Sequence, residues 1–200
     1  VSTQSTGKMG WKIVVAGQSS VGKTTLIKYI VDNKFYPQVA TTLQSAVQTK
    51  IYTYDNSKIE LHIWDTAGQE RFKAITPQTF RDADAAFIVF DCTQPDSFNE
   101  TLFWLDSFKQ LAKPNAVVYL LANKVDLVWK VDQQEVQKMS EMNSCAYFEI
   151  SCLLGKGIDQ LLIHVAKEYL LHNVSEQNVQ SQTSIKINKI DLSKKQKGCC

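Results

Sequence analysis

The segment Gly17-Gln-Ser-Ser-Val-Gly22-Lys23-Thr24 constrains this chain more than any other feature. A short apolar run, 11–16, precedes it. Helical periodicity over 24–32, carried by Leu26, Ile27 and Ile30, follows it. A glycine, four residues, then Gly-Lys-Thr between a strand and a helix is the pattern of a loop that cradles phosphate groups. The residue types suit that task. Gly22 lets the backbone come close to an anion, and the loop N–H groups of Ser19, Ser20, Val21 and Thr25 lie at a helix N-terminus with its fixed positive potential. Lys23 can bridge two phosphates, and the Thr24 hydroxyl can ligate Mg²⁺.

The rest of the chain supplies a scaffold for such a loop. Alternation over 47–54, turn residues at 55–57 and a second alternating run at 59–64 predict a hairpin with one polar face. The runs 85–90 and 116–121 are wholly apolar, as expected of strands buried on both faces. A helix is expected over 97–111, with Ser97 as its cap and Glu100 three positions on. Another is expected over 132–142, with Asp132 and Glu135 in the same roles. A short strand at 146–150 and a helix at 158–171 complete the pattern. Strand–helix alternation predicts an α/β fold: a six-stranded, mostly parallel sheet with one antiparallel hairpin strand and helices on both faces. Ligands then sit at the carboxyl ends of the strands.

Two further segments fall at such ends. Asp65-Thr-Ala-Gly68-Gln69-Glu70 follows the strand ending in Trp64. An Asp there can hold Mg²⁺, Gly68 can donate its N–H to a γ-phosphate, and Gln69 can orient an attacking water. Asn123-Lys124-Val-Asp126 follows the apolar run at 116–122. The Asp126 carboxylate can accept from both the N1–H and the 2-amino group of guanine. Adenine offers neither donor and would leave the carboxylate buried and unpaired.

These motifs, at these spacings, resemble a Ras-superfamily small GTPase with the P-loop fold, and within it the Rab family. The segments 59–64, 71–76 and 87–93 carry the likeness, with the pair Cys199-Cys200; it runs over about residues 10–172. The resemblance implies hydrolysis of GTP to GDP, with Gln69 catalytic and Mg²⁺ held by Thr24, Thr42 and Asp65. Thr41 is the immediate rival of Thr42. It implies an aromatic, Phe35, against the edge of the guanine. Asn123, Lys124 and Asp126 surround the base, together with Ser151, Cys152 and Leu153, where a backbone N–H meets the guanine oxygen. It also implies an exchange factor, a GTPase-activating protein, a dissociation inhibitor, a prenylation escort and effectors that read the GTP state. Departures from the Rab pattern are Ser20 and Gln44 in place of Gly, and Cys152-Leu153 in place of Ala-Lys. Of the aromatic triad often presented to effectors only Trp64 remains, with Val47 and Thr79 at the other two positions.

Charge divides the chain. Net charge is +2, yet residues 1–172 hold 17 basic and 18 acidic side chains, and residues 173–200 hold five Lys against two acids. That balance argues against a nucleic-acid binder. The expected domains are a polar lead at 1–9, a GTP-binding domain at 10–172 and a disordered basic tail at 173–200. Five cysteines without regular spacing make a poor disulfide framework and suit a reducing compartment. Cys199 and Cys200 are the expected attachment points of two prenyl groups, because one lipid holds a protein only marginally at a bilayer and two hold it stably. Ile190-Asp-Leu192 resembles the aliphatic pair that prenylation escorts grip. The expected location is the cytoplasmic face of an intracellular membrane, with a leaning toward endosomes, and the expected state a monomer. Two rival readings are a nucleotide-binding scaffold with little turnover, motivated by Ser20, Gln44 and Leu153, and a P-loop kinase for a small metabolite. The kinase would need an acceptor pocket and an Arg-rich lid, and the sequence has neither.

Overall fold

The computed structural model describes residues 10–38, 42, 46–66 and 76–173. The expectations for Thr41, Gln44, Gly68, Gln69, the lead, the tail, Ile190, Leu192, Cys199 and Cys200 lie outside them.

Among the described residues six strands form one sheet: β1 (Trp11–Ala16), β2 (Ala46–Tyr54), β3 (Ser57–Asp65), β4 (Ala85–Asp91), β5 (Val117–Asn123) and β6 (Ala146–Glu149). Their spatial order is β2-β3-β1-β4-β5-β6. Only β2 runs antiparallel to its neighbour, pairing with β3 from Ala46↔Asp65 to Tyr54↔Ser57. The other pairings are parallel, as the expected fold class requires. Asp55 and Asn56 close the hairpin with φ of 46° and 59°. Two successive left-handed residues make the turn whose twist matches paired strands, and Asn and Asp tolerate that conformation best.

Period-two alternation sorts the apolar side chains onto the two faces of the sheet. Ile13, Val15, Phe87, Val89, Tyr119 and Leu121 face α1 (Lys23–Asp32) and the helix α6 over 158–173. Val14, Ala16, Ile88, Phe90, Leu120 and Ala122 face the helices α2 (Thr76–Phe80), α3 (Pro95–Asn99), α4 (Thr101–Leu111) and α5 (Gln133–Asn143). Every residue of β4 is buried, which explains its unbroken apolar run.

Two local expectations need correction. The helix expected over 97–111 is two helices, with Glu100 between them at φ −72° and ψ −14°. Ser97 is not its cap. It lies fully buried inside α3, where its hydroxyl bonds the Gln94 carbonyl at 2.7 Å and accepts from the Asp91 N–H at 3.0 Å. The helix begins earlier because Pro95 presets φ and needs no N–H partner in a first turn. The five-residue α2 is too short to show a periodicity in the sequence. Asp132 does cap α5, accepting from the Gln134 N–H at 2.8 Å.

Candidate functional site

A cleft of about 470 Å³ opens at the carboxyl ends of β1, β3, β5 and β6. That volume suits a small-molecule site. Its lining contains Ser19, Ser20, Gly22, Lys23, Thr24, Thr25, Phe35, Thr42, Asn123, Lys124, Asp126, Cys152 and Leu153, all expected from sequence. Val21, Asp65 and Ser151 support the wall through hydrogen bonds to lining residues or to their neighbours. Tyr36, Pro37, Thr66 and Leu127 also line the cleft and were not anticipated.

At one end the 17–24 loop wraps around the Lys23 ammonium. Nζ donates to the carbonyls of Gly17 at 2.9 Å and Gln18 at 2.7 Å. Burial lowers its pKa to about 8, against the raising influence of Asp65 and Glu100. A buried ammonium aimed into a cleft calls for an anionic partner. Gly22 has φ +100°, and a Cβ there would collide with the Asn123 amide. Gly17, at φ +141°, leaves no room for a Cβ beside the Val89 carbonyl. Both glycines are therefore dictated by close approach as well as by backbone conformation. Ser20, in contrast, holds φ +64° with a side chain, which costs a non-glycine residue about 1–2 kcal/mol. The first turn of α1 carries no side-chain cap and no acidic residue, so its N–H groups face the cleft uncompensated.

Beside Lys23, three oxygens converge. Thr24 Oγ1 lies 2.7 Å from Thr42 Oγ1 and donates to Asp65 Oδ2 at 2.7 Å. Thr42 Oγ1 donates to the same oxygen at 3.2 Å. Asp65 Oδ1 is buried without a hydrogen-bond partner among the described residues. Burial pushes the Asp65 carboxyl up from the ordinary range, and the two threonine hydroxyls pull it back. Two hydroxyls and a carboxylate with unused acceptor capacity are a hard-oxygen donor set, the kind that Mg²⁺ takes. The residues present therefore fit that ion. Thr66, the next residue after β3, anchors the strand end by donating to the Val15 carbonyl at 2.7 Å.

At the other end two successive side chains grip two successive carbonyls. Asn123 Nδ2 donates to Val21 O at 2.8 Å, and Lys124 Nζ donates to Ser20 O at 2.9 Å. The 123–126 loop and the phosphate-type loop are thus one assembly. Asp126 accepts from the Ser151 hydroxyl, which also accepts from the Leu154 N–H at 3.2 Å. The Cys152 thiol contacts Asn123 Oδ1 at 3.6 Å. Burial pushes its pKa up to about 12, so it packs as a small apolar group rather than as a nucleophile. Leu153, where a lysine was the family expectation, is 55% exposed at the rim.

The sequence reading missed Asp91. It ends β4, is 1% exposed, and holds Lys124 Nζ at 2.6 Å. Its signal was an acid closing an otherwise apolar strand.

Comparison with known families matches residues 12–171 to the family described as the Ras family. Members of that family are small GTPases that bind GTP or GDP together with Mg²⁺ and switch between the two nucleotide states. With the match spanning every strand but the edge of β1, this chain belongs to the Ras family.

Proposed function

We propose that the chain is a membrane-anchored GTP/GDP switch of the Rab type, which hydrolyses GTP slowly and recruits effectors in vesicle trafficking. The observation that carries the nucleotide part is the layout of the cleft. One cleft brings together Lys23, the hydroxyl–carboxylate cluster and Asp126, braced by Ser151.

In this reading Lys23 and the N–H groups at the start of α1 bind the β- and γ-phosphates and stabilise charge that builds on the transferring group. Thr24, Thr42 and Asp65 would hold Mg²⁺, which would supply electrostatic neutralisation of the phosphate oxygens. Gln69 orients the attacking water, and the Gly68 N–H meets the γ-phosphate. Phe35 covers the guanine edge, the Asp126 carboxylate accepts from its N1–H and 2-amino group, and the backbone at 151–153 meets its oxygen. Intrinsic turnover of Ras-type enzymes is on the order of 10⁻⁴ s⁻¹, accelerated about 10⁵-fold by an activating partner. That factor equals about 7 kcal/mol of barrier. Contacts from Thr42 and Gly68 to the γ-phosphate would order their segments until hydrolysis releases them.

The Rab assignment rests on the segments 59–64, 71–76 and 87–93 and on the adjacent Cys199 and Cys200. Two prenyl groups there, aided by Lys186, Lys189, Lys194, Lys195 and Lys197, would hold the protein on an anionic cytoplasmic membrane surface such as that of endosomes. Exchange factor, activating protein, dissociation inhibitor and prenylation escort are the matching partners. Intact mass of protein purified from eukaryotic cells tests this directly. Two geranylgeranyl adducts lost in Cys199→Ser/Cys200→Ser are expected, and an unmodified mass contradicts the anchor.

One observation favours the second reading, a switch-like scaffold with little turnover. Ser20 carries a side chain at φ +64° in the phosphate loop. Single-turnover phosphate release separates the two: release supports the enzyme, and retention of intact GTP supports the scaffold.

A further inference from the structure

The geometry points to Asp91 as a positioning residue that acts through Lys124 to retain the bound nucleotide; this rests on the nucleotide reading above. The parallel register of β4 and β5 sets Asp91 beside Asn123, so the following residue, Lys124, can reach back over the strand ends. It does so from a left-handed backbone at φ +63°. Its ammonium then stands between two acceptors, Asp91 Oδ2 at 2.6 Å and Ser20 O at 2.9 Å.

The Asp91 carboxylate is itself held from every side. Oδ1 accepts from the Thr93 N–H at 2.8 Å and the Thr93 hydroxyl at 2.7 Å, and Oδ2 accepts from Gln94 Nε2 at 3.3 Å. Its backbone N–H donates to the Ser97 hydroxyl inside α3. A buried carboxylate fixed this way is a rigid post, whereas a lysine side chain alone is a flexible four-carbon stem. Tying the stem to the post removes most of the freedom that gripping Ser20 O would otherwise cost. The grip matters because Ser20 holds an unfavourable φ at the mouth of the phosphate loop, and nothing in its own side chain type favours that conformation. Asp91 touches neither cleft nor loop, so its influence passes through the ammonium.

The test is release of N-methylanthraniloyl-GDP from the full chain in Mg²⁺ buffer, chased with excess GDP. Asp91→Asn keeps the acceptor for Thr93 and removes the charge. Release about tenfold faster than wild type is expected, the change produced by loss of one charge-assisted hydrogen bond. Lys124→Met should also release faster, and adding Asp91→Asn to it should change nothing more. Should Asp91→Asn not fold, Thr93→Val loosens the carboxylate and is expected to release about threefold faster, again only when Lys124 is present. Wild-type release from the Asp91 or Thr93 variant overturns the inference. So does a double variant whose rate is the product of the two single effects, because Asp91 would then act independently of Lys124. A wild-type chain that does not retain the GDP probe overturns the nucleotide reading, and this inference with it.

Discussion

At the scale of single residues, the proposed function assigns base selectivity to Asp126. Its carboxylate is braced by Ser151 and matches two guanine donors, so Asp126→Ala removes the reason to prefer guanine. GTP affinity is expected to fall at least about 100-fold, toward the affinity for ATP, in competition titrations. Retained guanine preference would place recognition elsewhere. Asp91 gives a second prediction. Burial pushes its carboxyl up, but the Lys124 ammonium and the Thr93 N–H and hydroxyl outweigh burial and leave it below the ordinary carboxylate value. A group whose folded pKa is depressed contributes stability that is present above its unfolded pKa, about 3.9, and is lost as pH falls through the lower folded value. Asp91→Asn is therefore expected to lower the melting temperature at pH 7 and to flatten its acid decline below about pH 5. Parallel curves would contradict it. The cleft-lining residues legible in the sequence, Lys23 and Asn123 among them, sit in contiguous motifs whose chemistry is local. Asp91, Thr66 and Tyr36 are not legible there, because only the loop path brings Thr66 and Tyr36 to the cleft and only the sheet register brings Asp91 to Lys124.

Elements were legible where burial imposes a period. The apolar runs of β4 and β5 and the alternation of β3 are visible because each strand's exposure is fixed by which faces are covered, whereas β2 exposes Val47 and Ile51 and is marked instead by its turn and its pairing with β3. The start of α3 ahead of Ser97 is not visible, since there the Ser97 hydroxyl bonds back to Asp91 and Gln94. Ser97→Ala tests that account. It removes the partner of a buried Asp91 N–H, so a loss of about 1–3 kcal/mol is expected in urea unfolding. The hairpin turn offers another test. Asn56 is left-handed at φ 59°, so Asn56→Val is expected to cost about 1–2 kcal/mol, whereas Asn56→Gly should not destabilise. Equal costs for the two would remove the backbone explanation.

The molecule as a whole is one sheet with two apolar cores, and the cleft stands where the strand ends meet. That placement follows from topology: β1 lies centrally, β3 and β4 flank it, and the loops leaving β1, β3 and β5 converge on one edge. The proposed membrane tether rests on the sequence, where 1–172 is near neutral and 173–200 is basic. The central claim is that this assembly binds and slowly hydrolyses GTP. Its most direct test is single-turnover hydrolysis by the full chain loaded with GTP in Mg²⁺, beside Gln69→Leu. The account predicts slow phosphate release by the wild type, on the order of 10⁻⁴ s⁻¹, and release at least about tenfold slower by the variant, with GTP still bound. Failure to bind GTP, or equal rates for the two proteins, would contradict it.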